Sequence, residues 1–202
     1  MRFSATPSKL VLLPLLLGYS ACLPSIANRT PLGETFPTVE GENLAGEKAT
    51  LPLQWRGEPT LVFVGYKRAS QFDIDRWLLG AAQAELKVNL VELPTVGGLF
   101  ATTFEDRLNE SMRRGIPQPL WPSVITIYDE ADTIYEWLGT ERPNNARTLL
   151  LSAEGHVLWY TAEGYSSDAI LEIEALLNKV SKADPTKESV EIPAVSDDNT
   201  ND

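Results

Sequence analysis

The chain has 202 residues, which fits one domain or at most two small ones. Hydrophobic residues make up 43% and charged residues 22%, so the composition is that of a globular protein and full-length disorder is not expected. The formal net charge of −11 argues against nucleic-acid binding, because Lys and Arg supply most of the affinity for phosphate.

Cysteine and histidine are scarce, and this restricts the chemistry further. Cys22 and His156 are the only residues of their types. One cysteine excludes an internal disulfide, a CxxC redox pair and a cysteine-rich zinc site. One histidine excludes a multi-histidine metal site and leaves a Ser-His-Asp triad a single candidate base. We therefore expect neither a metal nor another cofactor.

Residues 1–21 have the pattern of a bacterial lipoprotein signal peptide. Arg2 and Lys9 flank the start of the apolar run 10–17. That run is shorter than the roughly 20 residues of a membrane-spanning helix and matches the core of a signal peptide. The sequence YSAC that ends at Cys22 resembles a lipobox, in which the cysteine becomes the lipidated first residue of the mature chain. We therefore expect lipid attachment at Cys22, which would hold the protein on a membrane.

Other interpretations of the N-terminus stay open. Tyr19 departs from the usual Leu of a lipobox, and the segment 25–27 (SIA) satisfies the small-x-small rule of ordinary signal peptidase. Cleavage there would release a soluble periplasmic or secreted protein. In a third interpretation, the protein is cytosolic and its N-terminus is apolar by chance. The cysteine is followed by Leu23 and not by the Asp that marks inner-membrane retention in enteric bacteria. By this resemblance, the outer membrane is favoured. The favoured location is thus the periplasmic face of a bacterial membrane, preferably the outer membrane, with residues 22–33 as a tether.

The other end of the chain is predicted to be a disordered acidic tail. Residues 181–202 contain six acidic residues, two lysines, two prolines and no aromatic residue. Such a segment cannot bury enough apolar surface to offset the entropy of ordering it. The folded domain is therefore expected over residues 34–180.

Within residues 34–180, predicted strands alternate with predicted helices. The continuous apolar run 60–66 predicts a strand covered on both faces. Ser70 and Asp73 have the spacing of a capping box, and an apolar stripe predicts a helix over 70–81. The remaining predicted elements are a strand over 88–93, a helix over 102–114, a strand over 123–128, a short helix over 131–138, a hairpin of 148–151 with 155–160, and a helix over 167–180. This alternation predicts parallel strand pairing through right-handed crossovers.

Two segments resemble thioredoxin-like domains. The first is 36–46 (FPTVEGENLAG), and the second is 144–159 (NNARTLLLSAEGHVLW). The resemblance implies an α/β fold, a thioredoxin-like three-layer α/β/α sandwich with a central mixed sheet. More narrowly, the Asn-x-Arg pattern at Asn145 and the segment 108–117 (LNESMRRGIP) resemble the mitochondrial ATP synthase assembly-factor branch.

The redox site of active thioredoxins is missing from this sequence. In that family the thiols follow the first central strand, where the start of the next helix lowers a thiol pKa. Here the corresponding positions 66–71 read YKRASQ and contain no sulfur. The position of the family's cis-proline falls on Ala146. The resemblance therefore implies a redox-inactive member of the superfamily.

Four polar residues form a candidate anion-binding site. Lys67, Arg68 and Ser70 lie at a predicted helix N-terminus, where free backbone N–H groups favour anions. Arg142 is a further candidate for this surface. The alternative is a solvated loop with a capped helix.

Four other residues are candidates for a functional role. Trp121, in the proline-rich loop 117–122, is expected near the missing redox site, either as an exposed binding hot spot or as a buried staple of the loop. His156 lies beside a turn with no nucleophile placed near it, so a catalytic role is disfavoured. Asp73 and Asp75 are expected to stabilise a helix dipole rather than to form an acid–base pair.

The leading hypothesis is an exported binding, assembly or chaperone-like factor for a protein of the cell envelope, and not an enzyme. One alternative is a non-thiol, hydrolase-like enzyme or an anion-binding protein that uses the start of the helix at Lys67–Ser70. Another is a small-ligand carrier, which requires an enclosed apolar pocket.

Overall fold

The structure is a computed structural model that describes residues 25–98 and 105–183. Cys22, the predicted signal peptide and most of the predicted acidic tail lie outside the described residues. The elements in chain order are β1 Val39–Asn43, β2 Lys48–Leu51, β3 Thr60–Gly65, α1 Gln71–Gln83, β4 Asn89–Pro94, α2 Glu105–Gly115, β5 Ile125–Thr126, α3 Ala131–Leu138, β6 Arg147–Leu151, β7 Val157–Thr161 and α4 Ser167–Ala183.

The strands form a mixed sheet. Four of them pair in the order β4-β3-β6-β7, in which β3 and β4 are parallel and the other pairs are antiparallel. The strands β2, β1 and β5 pair antiparallel beside them. Parallel bridges from Glu92 to Val124 and from Thr95 to Ile127 join β5 to β4. The α/β fold with a mixed sheet is therefore confirmed.

Helices cover both faces of this sheet. On one face, Leu61 and Phe63 of β3 pack with Trp77 of α1 and Ile173 of α4. On the other face, Val62 and its neighbours pack against α3 and against the aromatic residues Phe36, Trp55 and Trp137. All six residues of β3 are buried, which explains its continuous apolar sequence. Each fully buried apolar side chain contributes about 1.5–3 kcal/mol, so this strand anchors the fold.

The structure differs from the sequence-based elements at three places. The hairpin of β1 and β2 was not predicted, because Glu40 and Glu42 face outward and interrupt the apolar pattern. Strand β5 is much shorter than the predicted 123–128, since residues 118–123 form a 3₁₀ turn that contains Pro122. Helix α4 continues to Ala183, so the first residues of the predicted tail 181–202 are helical.

The segment 26–29, within the predicted tether 22–33, is fixed to the domain. The backbone N–H of Ile26 donates to Oγ1 of Thr140 at 2.8 Å, and the N–H of Thr140 donates back to the carbonyl of Ile26 at 2.8 Å. From Ile26 onward, the predicted tether is therefore part of the folded domain. Within residues 25–98 and 105–183, no helix combines the length and the apolar character that crossing a bilayer requires.

Candidate functional site at the carboxyl edge of the sheet

The chain after β3 and the chain before β6 meet at one end of the sheet. Val64 of β3 lies opposite Arg147 of β6, so the residues that follow Gly65 face those that precede Arg147. We call this end the carboxyl edge and define it as residues 66–72 and 139–147; the amino edge is the opposite end, where β3 and β4 begin. The positions of the thiols and the cis-proline in active thioredoxins fall on the carboxyl edge.

A buried carboxylate ties this edge together. Asp73 is 3% exposed, and its Oδ2 accepts a hydrogen bond of 2.9 Å from the N–H of Ala146. Its Oδ1 accepts from the N–H of Tyr165 at 2.9 Å and from Arg76 at 3.3 Å. Proline at position 146 would lack the N–H that this carboxylate binds. Asp73 therefore does more than stabilise a helix dipole, whereas Asp75 is exposed and bonds Gln71.

The predicted anion site does not present Ser70. Ser70 is buried, has helical backbone angles, and donates its hydroxyl proton to the carbonyl of Lys67. It makes no side-chain hydrogen bond to the start of α1, so the predicted capping box is wrong. The side chains of Lys67 and Arg68 are exposed and lie outward from this turn. The cations and the hydroxyl are thus not combined in one ligand site.

A buried guanidinium occupies the space next to the end of β3. Arg147 is fully buried and lies with its Cζ 4.3 Å from the ring centroid of Tyr66. It donates to the carbonyls of Asn145 at 3.0 Å and Arg142 at 3.3 Å, to the carbonyl of Glu141, and to Oδ1 of Asn28 at 3.2 Å. Among the described residues, no carboxylate forms an ion pair with it.

Burial also shifts the pKa values of Arg147 and Tyr66. It lowers the pKa of Arg147 and raises the pKa of Tyr66, in each case by disfavouring the charged form. The neutral Tyr66 ring and four oxygen acceptors stabilise the guanidinium in place of a counter-ion. The pair is a structural clamp across the carboxyl edge, and sequence reasoning missed it. The signal that could have found it was the Asn-x-Arg pattern that ends at Arg147.

The predicted site residues Arg142 and Trp121 lie at opposite ends of the sheet. Arg142 belongs to the carboxyl edge and forms an ion pair with Glu163. The carbonyl of Trp121 accepts from the N–H of Leu44, which follows β1. This places Trp121 at the amino edge, and the prediction that the loop 117–122 lies near the missing redox site is wrong. The reason is that β5 runs parallel to β4, so the turn before β5 must lie at its amino end.

Trp121 itself is half-buried and held by its neighbours. Its indole N–H donates to the carbonyl of Ile116 at 2.9 Å, and the Arg113 guanidinium lies 5.8 Å from its ring centroid. Arg113 also donates to the carbonyl of Leu44 at 2.7 Å. Next to it, Leu120 is 52% exposed. We call Arg113, Ile116, Leu120 and Trp121 the Trp121 surface.

Neither cleft of note lies at the carboxyl edge. One, of about 270 Å³, is open to solvent and lined by residues 54–58 and Asn89. The other, of about 100 Å³, is lined mainly by acidic residues of β1 and of the loop after β5. His156, with its Nδ1 3.1 Å from the hydroxyl of Thr35, is also remote from this edge. In the described ranges, no group of three or more His, Cys, Asp or Glu side chains is arranged to hold a metal ion.

Comparison with known proteins identifies the fold as thioredoxin-like. The structure of an SCO1/SenC family lipoprotein from Bacillus anthracis matches with a TM-score of 0.53 and 10% identity, over 77% of this chain and 99% of that one. Copper-bound yeast Sco1 matches with a TM-score of 0.51 and 12% identity, over 80% and 99% of the two chains. A thiol peroxidase from Chromobacterium violaceum matches with a TM-score of 0.50 and 15% identity, over 80% and 93%.

These similarities establish the fold, but they say nothing about the activity of this chain because the sequence identities are low. The search with family models gave no match, and neither did the search of curated proteins. The chain thus has a thioredoxin-like fold, and the fold alone does not determine its function.

Proposed function

We propose that this protein is an exported, lipid-anchored thioredoxin-like domain that acts by binding a protein of the cell envelope, as an assembly or chaperone-like factor. One observation carries the proposal: the fold is intact while its redox site is occupied by other interactions. Positions 66–71, which correspond to those of the thiols in active thioredoxins, contain no sulfur, and Asp73 binds the N–H of Ala146. The absence of a thiol at this edge supports a role in binding over thiol–disulfide exchange.

Copper transport, which the copper-bound yeast neighbour brings to mind, does not fit the residues. Copper sites in proteins use Cys, Met and His ligands. This sequence has one cysteine, one histidine and two methionines, and the cysteine is the predicted lipid attachment residue Cys22. His156 lies at the amino edge beside Thr35, far along the chain from Cys22. No metal-dependent step is therefore part of the proposal.

The Trp121 surface is the best-supported contact for a partner protein. It combines an exposed Leu120, a half-buried Trp121 and the guanidinium of Arg113, and Trp and Arg are the residues that most often dominate binding energy. Its backbone is fixed, so little entropy is lost on binding. Both Arg113 and Ile116 belong to the segment 108–117 that resembles ATP synthase assembly factors, which adds support for an assembly role.

Photo-crosslinking in cells tests the binding surface. A benzophenone amino acid replaces Leu120 in one strain and Leu171, an equally large exposed residue on α4, in the control strain. We expect a discrete crosslinked protein from position 120 alone, and its loss when R113E is added to that strain but not when L171E is added. Identical patterns from the two positions, or no crosslinked protein from position 120, would contradict the proposed surface.

Two further measurements test the other parts of the proposal. Metabolic labelling with a palmitate analogue should mark the wild type and not the Cys22→Ala variant; an unlabelled wild type contradicts the lipid anchor. An insulin-reduction assay should give no rate above that of buffer with reductant. A rate above that background contradicts binding without thiol chemistry.

A further inference from the structure

The attachment of the segment 26–29 fixes where the chain leaves the domain. Besides the two bonds between Ile26 and Thr140, Oδ1 of Asn28 accepts from the N–H of Glu141 at 3.1 Å and from Arg147 at 3.2 Å. Gly139 allows this contact: a Cβ there would lie 2.4 Å from the carbonyl oxygen of Ala27. The chain therefore leaves the domain at the carboxyl edge.

The distance from this point to the predicted lipid is short. Cys22 precedes Ile26 by four residues, which span at most about 14 Å when fully extended. A domain of this size has a radius of gyration of about 15 Å, hence a diameter well beyond that reach. With a lipid on Cys22, the carboxyl edge is held near the bilayer, and an inverted orientation with the amino edge against the bilayer is beyond the reach of the tether.

The carboxyl edge also has the side chains that suit a membrane surface. Lys67 and Arg68 are exposed and, among the described residues, neither is in an ion pair; Phe72 beside them is 75% exposed. Two other cations near this edge are ion-paired, Arg142 with Glu163 and Arg76 with Asp73, and Glu141 accepts from the N–H of Asn28. Exposed carboxylates also lie there, Asp75 on α1 and Asp168 at the start of α4, and neither is in an ion pair among the described residues. Contact with a membrane surface therefore depends on the local patch of Lys67, Arg68 and Phe72.

We infer that the carboxyl edge lies against the bilayer, with Lys67 and Arg68 on anionic headgroups and Phe72 at the interface. Each Lys or Arg near an anionic leaflet strengthens attachment several-fold, whereas the net charge of −11 repels the rest of the molecule. The inference rests on the proposed lipid anchor at Cys22. Its consequence is that the Trp121 surface points away from the membrane, toward envelope proteins.

Fluorescence quenching of the full acylated chain tests this orientation. Acylation leaves Cys22 without a free thiol, so an introduced cysteine is the single site for a fluorescent label. The test variant is F72C, and the control is L53C at an exposed position of the amino edge. The chain is reconstituted in vesicles of phosphatidylethanolamine and phosphatidylglycerol at 7:3 with a headgroup nitroxide. We expect quenching at position 72 to exceed that at position 53 at least about threefold, since nitroxide quenching acts only at short range and the amino edge lies beyond the reach of the tether.

Matched charge reversals separate electrostatic contact from tether length. In the F72C chain, K67E with R68E should reduce the quenching, as should 0.5 M salt, because these cations hold the edge on phosphatidylglycerol. The same charge change at the amino edge, R56E with K87E, should leave it unchanged.

The two proposals fail in different ways. Equal quenching at positions 72 and 53 in a palmitate-labelled chain, or an equal effect of both charge reversals, overturns the orientation and leaves the anchor intact. An unlabelled wild type instead overturns the anchor, and the orientation with it.

Discussion

Removing the carboxylate of Asp73 is expected to destabilise the domain severely. In the Asp73→Ala variant, the N–H groups of Ala146 and Tyr165 lose acceptors at 2.9 Å, and Ala146 is fully buried. Hydrogen bonds to a charged group contribute about 1.5–3 kcal/mol each, so the loss of two should be about 3–6 kcal/mol. That is a large share of the 5–15 kcal/mol by which a domain of this kind is typically stable.

Urea denaturation followed by tryptophan fluorescence measures this loss, in a Cys22→Ser background that needs no detergent. Asp73→Asn, which keeps one acceptor oxygen, should lose about half as much. Asp75→Ala is the matched control, because Asp75 lies two residues further along α1, is exposed, and accepts a hydrogen bond from Gln71. Its removal should change the free energy of unfolding by less than about 0.5 kcal/mol. A loss below about 1 kcal/mol for Asp73→Ala, at an unchanged denaturant slope, would refute the assignment of Asp73 as the tie across the carboxyl edge.

Four other substitutions test the same region and its surroundings. Arg147→Met leaves several backbone carbonyls without a donor and should lower the free energy of unfolding, measured in urea, by about 3 kcal/mol. Tyr66→Phe removes a buried hydroxyl that has no hydrogen-bond partner among the described residues, so it should be neutral or slightly stabilising. Gly139→Ala should accelerate amide hydrogen exchange at Ile26 and Thr140 while the rest of the domain stays protected, because the added Cβ meets the segment 26–29; unchanged exchange would contradict the packing. Burial raises the pKa of Glu92, so its charge opposes folding at neutral pH. The Glu92→Gln variant should therefore be more stable than the wild type at pH 7, and this advantage should vanish below the ordinary glutamate pKa of 4.5, where the carboxyl is protonated in both states. An advantage that persists undiminished at pH 3.5 would contradict this.

The sequence predicted the elements whose apolar pattern is set by local packing. Strand β3, helix α1 and the hairpin of β6 and β7 bury apolar side chains at the spacing of their own secondary structure, so the pattern reveals them. The hairpin of β1 and β2 was missed, since β1 has Glu40 and Glu42 on its outer side and depends on pairing with β5, more than 80 residues later.

The site was less predictable because its contacts are long-range. Asp73 binds backbone groups 73 and 92 residues away, and Arg147 binds Asn28 at a separation of 119 residues. No spacing along the chain indicates such pairs. The misplacement of Trp121 is different, since the parallel direction of β5 already implies that its preceding turn lies at the amino edge.

The hydrogen bond between Asp73 and Ala146 constrains any attempt to engineer thiol chemistry at the carboxyl edge. Placing cysteines at positions 67 and 70 would supply sulfur but not the proline that accompanies it in active thioredoxins. Installing proline at 146 first would remove the N–H that Asp73 accepts and leave a buried carboxylate short of a donor. A proline at position 146 therefore requires a compensating change at Asp73, whereas a cysteine at the exposed position 67 does not. Positions 73 and 146 are thus energetically coupled, and their substitutions should not be additive.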